Sequence, residues 1–281
     1  MTATIINGKD LATQYKTKLK EKISQLNTSP TLAVILVGSN PASQTYVKNK
    51  EKACQEVGII SQTYHLTEDI KQPELEDLII TLNNDQTTNG ILVQLPLPSH
   101  IDTQKILSLI SPTKDVDGFH PLNTGLLTKS SPSAFIPCTP KGIIEILRSL
   151  PINLTGLHAV VVGRSQIVGL PVAQLLIQEN LTTTITHSKT KDLPSITKTA
   201  DILIVAIGKK EFITKGHVKE GAIVIDVGIN KTDLGLKGDV NFDELKDICS
   251  YITPVPKGVG PMTIAMLLEN TYLAYITQNI S

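Results

Sequence analysis

At 281 residues the chain can bury a large core, and at roughly 100 to 200 residues per domain two domains are expected, with one very large α/β domain as the alternative. Lysine plus arginine number 26 and aspartate plus glutamate 26, so no global field recruits nucleic acid or an anionic membrane, and a small molecule is the default partner. Cys54, Cys138 and Cys249 are odd in number, lie far apart and lack ligand spacing, which argues against a disulfide framework and against a zinc site.

The opening residues MTATIINGKD carry no basic stretch leading into an apolar run, and no segment approaches about 18 uninterrupted apolar residues, so a cytoplasmic protein is expected. The run Leu32–Val37 reads as a buried strand. Asn40-Pro41 follows as an N-cap with proline in the first turn, opening a helix to about Gly58. At about 100° per residue, Tyr46, Val47, Ala53, Cys54 and Val57 form one apolar stripe with Lys50 at its centre, while Lys48, Glu51, Lys52 and Glu56 point elsewhere. Two readings of Lys50 are open: its stem snorkels along the stripe, or a partly desolvated ammonium exchanges protons near neutral pH.

A second buried strand, Ile91–Leu95, brings Gln94 to its carboxyl edge, where an amide needs hydrogen-bond partners whether its role is structural or chemical. Asp115 and Asp117 stand beside Gly118, and aspartate before glycine is ordinary turn chemistry as well as a candidate site. Periodicity fades between Asp115 and Pro140, and the border between two sheets is placed near Phe119.

Downstream, Ala159–Val162, Ile202–Ile207 and Ala222–Val227 read as further buried strands, and their alternation with helical patterns implies parallel sheets built from βαβ units. Gly163, Arg164, Ser165, Gly169 and Pro171 link the first of these to the helical run Val172–Gln178. Such a strand, glycine turn and helix suit a dinucleotide pyrophosphate, although serine stands where GxGxxG has its second glycine. Gly208 and Gly228 end the next two strands and would border the same crevice. An NAD site commonly places a carboxylate about 20 residues beyond the turn, whereas Thr184–Thr190 has none. Hydroxyls, Lys189 and the planar fork of Arg164 suit a 2′-phosphate, so NADP is expected, unless Arg164 and Lys189 are solvated surface charges. Pro261–Ile280 has helical spacing in Ile264, Leu267, Leu268 and Leu273, and can pack back on either domain.

Tyr46-Val47-Lys48-Asn49-Lys50, Val93–Pro98, Lys114–Gly118, Pro137–Pro140, Gly163-Arg164-Ser165 and Pro254–Thr263, taken in order, resemble the bifunctional methylenetetrahydrofolate dehydrogenase/cyclohydrolase family. The resemblance implies an α/β fold of two domains with parallel sheets: an N-terminal catalytic, folate-binding domain at 1–119 and a C-terminal, Rossmann-like NAD(P)-binding domain at 120–281. It further implies folate in the cleft between them, a homodimer and no metal.

The implied reactions are oxidation of 5,10-methylenetetrahydrofolate with NADP and hydrolysis of the methenyl product to 10-formyltetrahydrofolate. By the same resemblance Lys50 transfers protons and is held by Gln94, Tyr46 stacks on the folate, and Asp117 grips the pterin ring. Ser165 and Ser188 match positions around the cofactor, and Thr139 and Ile229 lie near its nicotinamide end. One departure stands out: the family commonly shows PVPGGVGP, whereas this chain has Lys257 in place of the first glycine. Either that position has an ordinary φ, or the loop differs.

Overall fold

The computed structural model describes residues 2–233 and 235–279. The chain forms two compact units: the segment up to Ala12 joined by Thr139–Thr263, and Thr13–Cys138 joined by the residues from Ile264 onward. Their strands are, in chain order, β1 (Thr4–Ile5), β2 (Thr31–Val37), β3 (Ile60–Leu66), β4 (Gly90–Val93), β5 (His158–Val162), β6 (Thr182–Thr186), β7 (Ile202–Val205), β8 (Ile223–Asp226), β9 (Asn230–Thr232), β10 (Gly235–Lys237) and β11 (Tyr251–Ile252).

The unit containing Thr13–Cys138 is built on a parallel sheet of three strands in the order β3-β2-β4. Every residue of central β2 is buried, which explains its unbroken apolar run: both faces need cover. Ala33, Ile35, Leu75, Ile79, Ile91 and Ile106 share one core, and full burial of an aliphatic side chain of this size contributes roughly 1.5–3 kcal/mol. The edge strand β3, ISQTYHL, is partly exposed throughout and mixes polar with apolar residues, so its sequence lacks the continuous run that marks β2.

Residues 120–138, which follow the border expected near Phe119, group with this unit, and Asn123 ties them to it. Its Nδ2 donates to Asp115 Oδ2 at 2.8 Å and to the Pro112 carbonyl at 3.0 Å, while its Oδ1 accepts from Phe135 N at 3.3 Å. The expected C-terminal helix spans Val259–Asn279, Ile280 lying outside the described residues. From Ile264 it packs with the three-stranded unit, where Gln278 Nε2 donates to the Asn89 and Thr113 carbonyls at 2.8 and 3.0 Å.

The other unit carries a parallel sheet of six described strands in the order β1-β11-β8-β7-β5-β6. From β5 the chain moves outward to β6 and then returns to β7 on the opposite side, which makes the carboxyl ends of β5 and β7 a topological switch point. Val160, Val162, Leu203, Val205, Val224 and Ile252 belong to its core. Strands β9 and β10 pair antiparallel beyond β8. Among the described residues no helix is long and apolar enough to cross a membrane.

Candidate functional site

In the three-stranded unit, the helix Pro41–Val57 begins where expected, with Asn40 Oδ1 accepting from Ala42 N at 2.9 Å and Ser43 N at 3.2 Å. Gly58 ends it in the left-handed conformation at φ 90°. Val47, Ala53, Cys54 and Val57 are buried along one face, and Lys50 is half-buried among them. Its Nζ donates to Gln94 Oε1 at 3.0 Å, and Gln94 Nε2 donates in turn to the Leu95 carbonyl at 2.8 Å. Gln94 follows directly after β4, with its backbone N–H on the Ile35 carbonyl of β2 at 2.9 Å, so the sheet edge fixes where the amide stands.

Asp117 lies in the field of Lys50. Burial pushes its carboxyl up to about 6; the Lys50 charge opposes that shift and the Asp115 charge adds to it. Cys138 Sγ, 3.7 Å away, donates to Asp117 Oδ1, and 3.3 Å away to the Val116 carbonyl. Asp115 does structural work: Phe119 N, His120 N and Asn123 Nδ2 all donate to it. Burial also raises the Tyr46 phenol above its usual range. Thus Lys50 and Gln94 meet directly, Asp117 joins them electrostatically, and Tyr46 lies one helical turn before Lys50. Sequence reasoning did not find Asn270, whose Nδ2 donates to the Val116 and Ile136 carbonyls at 2.9 Å each and so holds the backbone next to Asp117.

In the six-stranded unit, Gly163 follows β5 at φ 124°, and a Cβ there would lie 2.3 Å from the Ala206 carbonyl oxygen. A Cβ on Gly169 would lie 2.3 Å from the Gly163 oxygen, so both glycines are needed for the close turn. Ser165 Oγ accepts from Val168 N and Gly169 N at 3.2 and 3.3 Å, stabilising the start of the helix Gly169–Gln178. Arg164 and Ser165 are exposed in the turn, and Ser188 is exposed just past β6. No carboxylate occurs between Thr182 and Lys191. An exposed cation, hydroxyls and a close turn flanked by Gly163 and Gly169 at the switch point fit a phosphorylated dinucleotide.

Thr139 Oγ1 lies 3.0 Å from Thr263 Oγ1, and Ile229 is exposed just past β8. Lys257 has φ 83°, so the ordinary-φ alternative fails and a lysine occupies left-handed backbone. The carbonyl of Lys257 accepts from Lys9 N at 3.1 Å.

Two carboxylates in this unit were not singled out from sequence. Asp226 and Asp239 are 3% and 0% exposed. The signal available was glycine spacing: Gly228 and Gly238 leave the room these carboxylates fill, because a Cβ on either would strike Asp239 or Asp226.

Two family models match the chain: "Tetrahydrofolate dehydrogenase/cyclohydrolase, catalytic domain" over residues 6–117, and "Tetrahydrofolate dehydrogenase/cyclohydrolase, NAD(P)-binding domain" over residues 137–279. The bifunctional protein FolD of Oceanobacillus iheyensis is 56% identical over 276 residues, covering 97% of this chain and 96% of the relative. The crystal structure of the bifunctional methylenetetrahydrofolate dehydrogenase/cyclohydrolase FolD from Campylobacter jejuni is similar with a TM-score of 0.96 and 52% identity, over 98% of this chain and 99% of the other. The Trypanosoma brucei methylenetetrahydrofolate dehydrogenase-cyclohydrolase, complexed with NADP cofactor and inhibitor, has a TM-score of 0.94 and 38% identity, over 99% of this chain and 98% of the other.

Proposed function

This chain belongs to the tetrahydrofolate dehydrogenase/cyclohydrolase family, and from that premise we propose that it oxidises 5,10-methylenetetrahydrofolate with NADP and hydrolyses the methenyl product to 10-formyltetrahydrofolate. The observation that carries the reading is the 3.0 Å contact of the Lys50 ammonium with Gln94 beside the raised carboxyl of Asp117. When bound, NADP supplies the hydride acceptor. Gly163, Arg164, Ser165 and Ser188 would hold its phosphates and adenosine ribose, and Thr139 and Ile229 would border its nicotinamide.

Above pH 6 an ionised Asp117 accepts the paired N–H donors of a pterin, while Tyr46 offers a flat face to the ring. In the hydrolytic step water adds to the cationic carbon, and Lys50 relays protons from that water toward the ring nitrogen released when the bridge opens. Gln94 fixes the ammonium in place by accepting its hydrogen bond, which holds the proton carrier in one orientation.

We further propose a cytoplasmic homodimer. The exposed edge of β3, whose outer backbone groups have no neighbouring strand among the described residues, supports a second copy on that side. The test is a coupled assay that follows methenyltetrahydrofolate formation with NADP and its subsequent hydrolysis. Purified protein that carries out neither step would refute the assignment.

A further inference from the structure

In the six-stranded unit, Asp239 and Asp226 tie together chain segments that leave the carboxyl edge of the sheet. Asp239 Oδ2 accepts from Ile207 N at 2.7 Å and from Gly208 N at 2.8 Å, the turn that follows β7. Its Oδ1 accepts from Asn230 Nδ2 at 2.9 Å, immediately after Ile229. Asp226 Oδ1 accepts from Gly228 N and Asp239 N at 3.0 and 2.9 Å, and Oδ2 from Val240 N at 3.0 Å. The N–H of Asp226 donates to Thr253 Oγ1 at 2.7 Å, next to the loop that begins at Pro254.

Such an arrangement is expensive as mere scaffolding. Burial pushes Asp226 up to about 7 despite its three backbone donors, with the Asp239 charge adding to the shift. Asp239, fully buried, spends both oxygens on segments that reach the surface: its partner Gly208 is exposed, a side chain there would meet nothing within 4 Å, and its partner Asn230 follows the exposed Ile229. The backbone that the carboxylate holds is therefore the backbone that a ligand at the switch point would meet.

We propose that Asp239 is a positioning residue for dinucleotide binding, which holds the Ile207–Gly208 turn and the Ile229–Asn230 segment at the spacing that the nicotinamide end of NADP requires. The proposal rests on the cofactor assignment above, and it gives the buried node a task in one of the two reactions only. Hydrolysis of the methenyl substrate needs no dinucleotide, so the node bears on the dehydrogenase step and not on the cyclohydrolase step.

The hydrogen-bond chemistry supplies the variant. In Asp239→Asn one acceptor oxygen becomes a donor, so the side chain can serve the Ile207–Gly208 amides or Asn230, but not both. In the exchange Asp239→Asn with Asn230→Asp, the new amide N–H points at the new carboxylate, and the remaining oxygen again faces Ile207 and Gly208. The full-length proteins are titrated calorimetrically with NADP+, and both reactions are assayed.

For Asp239→Asn the Kd and KM for NADP+ are expected to rise about tenfold, as for loss of one charge-assisted contact, with cyclohydrolase activity within about twofold of the parent. Hydrogen exchange over residues 206–209 should quicken. The exchange variant should recover most of the affinity. Unchanged NADP+ affinity in folded Asp239→Asn overturns the proposal, as does a parallel fall of both activities with a lowered Tm, which marks a purely structural carboxylate. A parent that binds NADP+ but oxidises no folate counts against the proposed function instead, and the Kd comparison still decides the role of Asp239.

Discussion

The Lys50 ammonium and the Gln94 side-chain carbonyl are 3.0 Å apart, one from the middle of a helix and the other from the end of a neighbouring strand. A lysine on an apolar stripe is held there by a defined acceptor and does not simply reach for water. Lys50→Met keeps the length and the apolar stem, so the fold should persist while cyclohydrolase activity drops by about 100-fold or more, the usual scale for losing a general acid–base group. Circular dichroism and a methenyltetrahydrofolate hydrolysis assay on the same preparation check both halves. Parental turnover in the folded variant would remove Lys50 from the mechanism.

Asp117→Asn should separate stability from activity. The folded carboxyl titrates near 6, above the usual 3.8, so between those values the folded chain binds more protons than the unfolded one. Stability from this group is therefore lost as pH rises through that window, and stays lost above it. Removing the charge should stabilise the protein at pH 8 by up to about 2 kcal/mol, discounted for the partial exposure of Asp117, and by little at pH 4. Urea unfolding at the two pH values measures the difference, and folate turnover should fall in the same variant.

Arg164→Ala addresses the choice of cofactor. If the exposed guanidinium in the glycine turn holds the 2′-phosphate, which NADP alone carries, kcat/KM for NADP should drop roughly 10- to 100-fold while that for NAD changes little. An unaltered ratio of the two cofactors in the variant, or equal use of both by the parent, would break the electrostatic argument.

Lys257→Gly should raise stability modestly. A non-glycine residue at φ 83° carries a steric cost of about 1–2 kcal/mol, and glycine gives back about 0.5–1 kcal/mol through its freer unfolded chain. The net expectation is a gain of about 0.5–1 kcal/mol with activity nearly unchanged, read from Tm and a coupled assay. Loss of activity in a folded variant would mean that the lysine side chain has acquired a task.

What could be read from the chain follows from how each signal is generated. Strand β2 was legible because burial on both faces demands an uninterrupted apolar run, and Lys50 because one charge broke an apolar stripe. The edge strand β3 was not, since exposure relaxes the demand on its residues. Asp239 escaped notice because two of its three partners are backbone amides some thirty residues away, and a backbone amide has no sequence identity. The grouping of residues 120–138 with the three-stranded unit was not legible, because Asn123, one polar residue of the helix Pro121–Thr128, shows no sign in the sequence of its bond back to Asp115.

The first strand and the last helix carry a consequence for how this protein is made. Strand β1, near the start, pairs with β11 at Tyr251–Ile252, and Asn270 caps carbonyls that were synthesised more than a hundred residues earlier. Neither unit can complete its native pairing on the ribosome until residues 251–252 and 270 have been made. Until then a six-stranded sheet lacks its β1–β11 pair and the backbone beside Asp117 lacks its Asn270 donor, and contacts of such long sequence separation favour slow, late folding over domain-by-domain folding during translation.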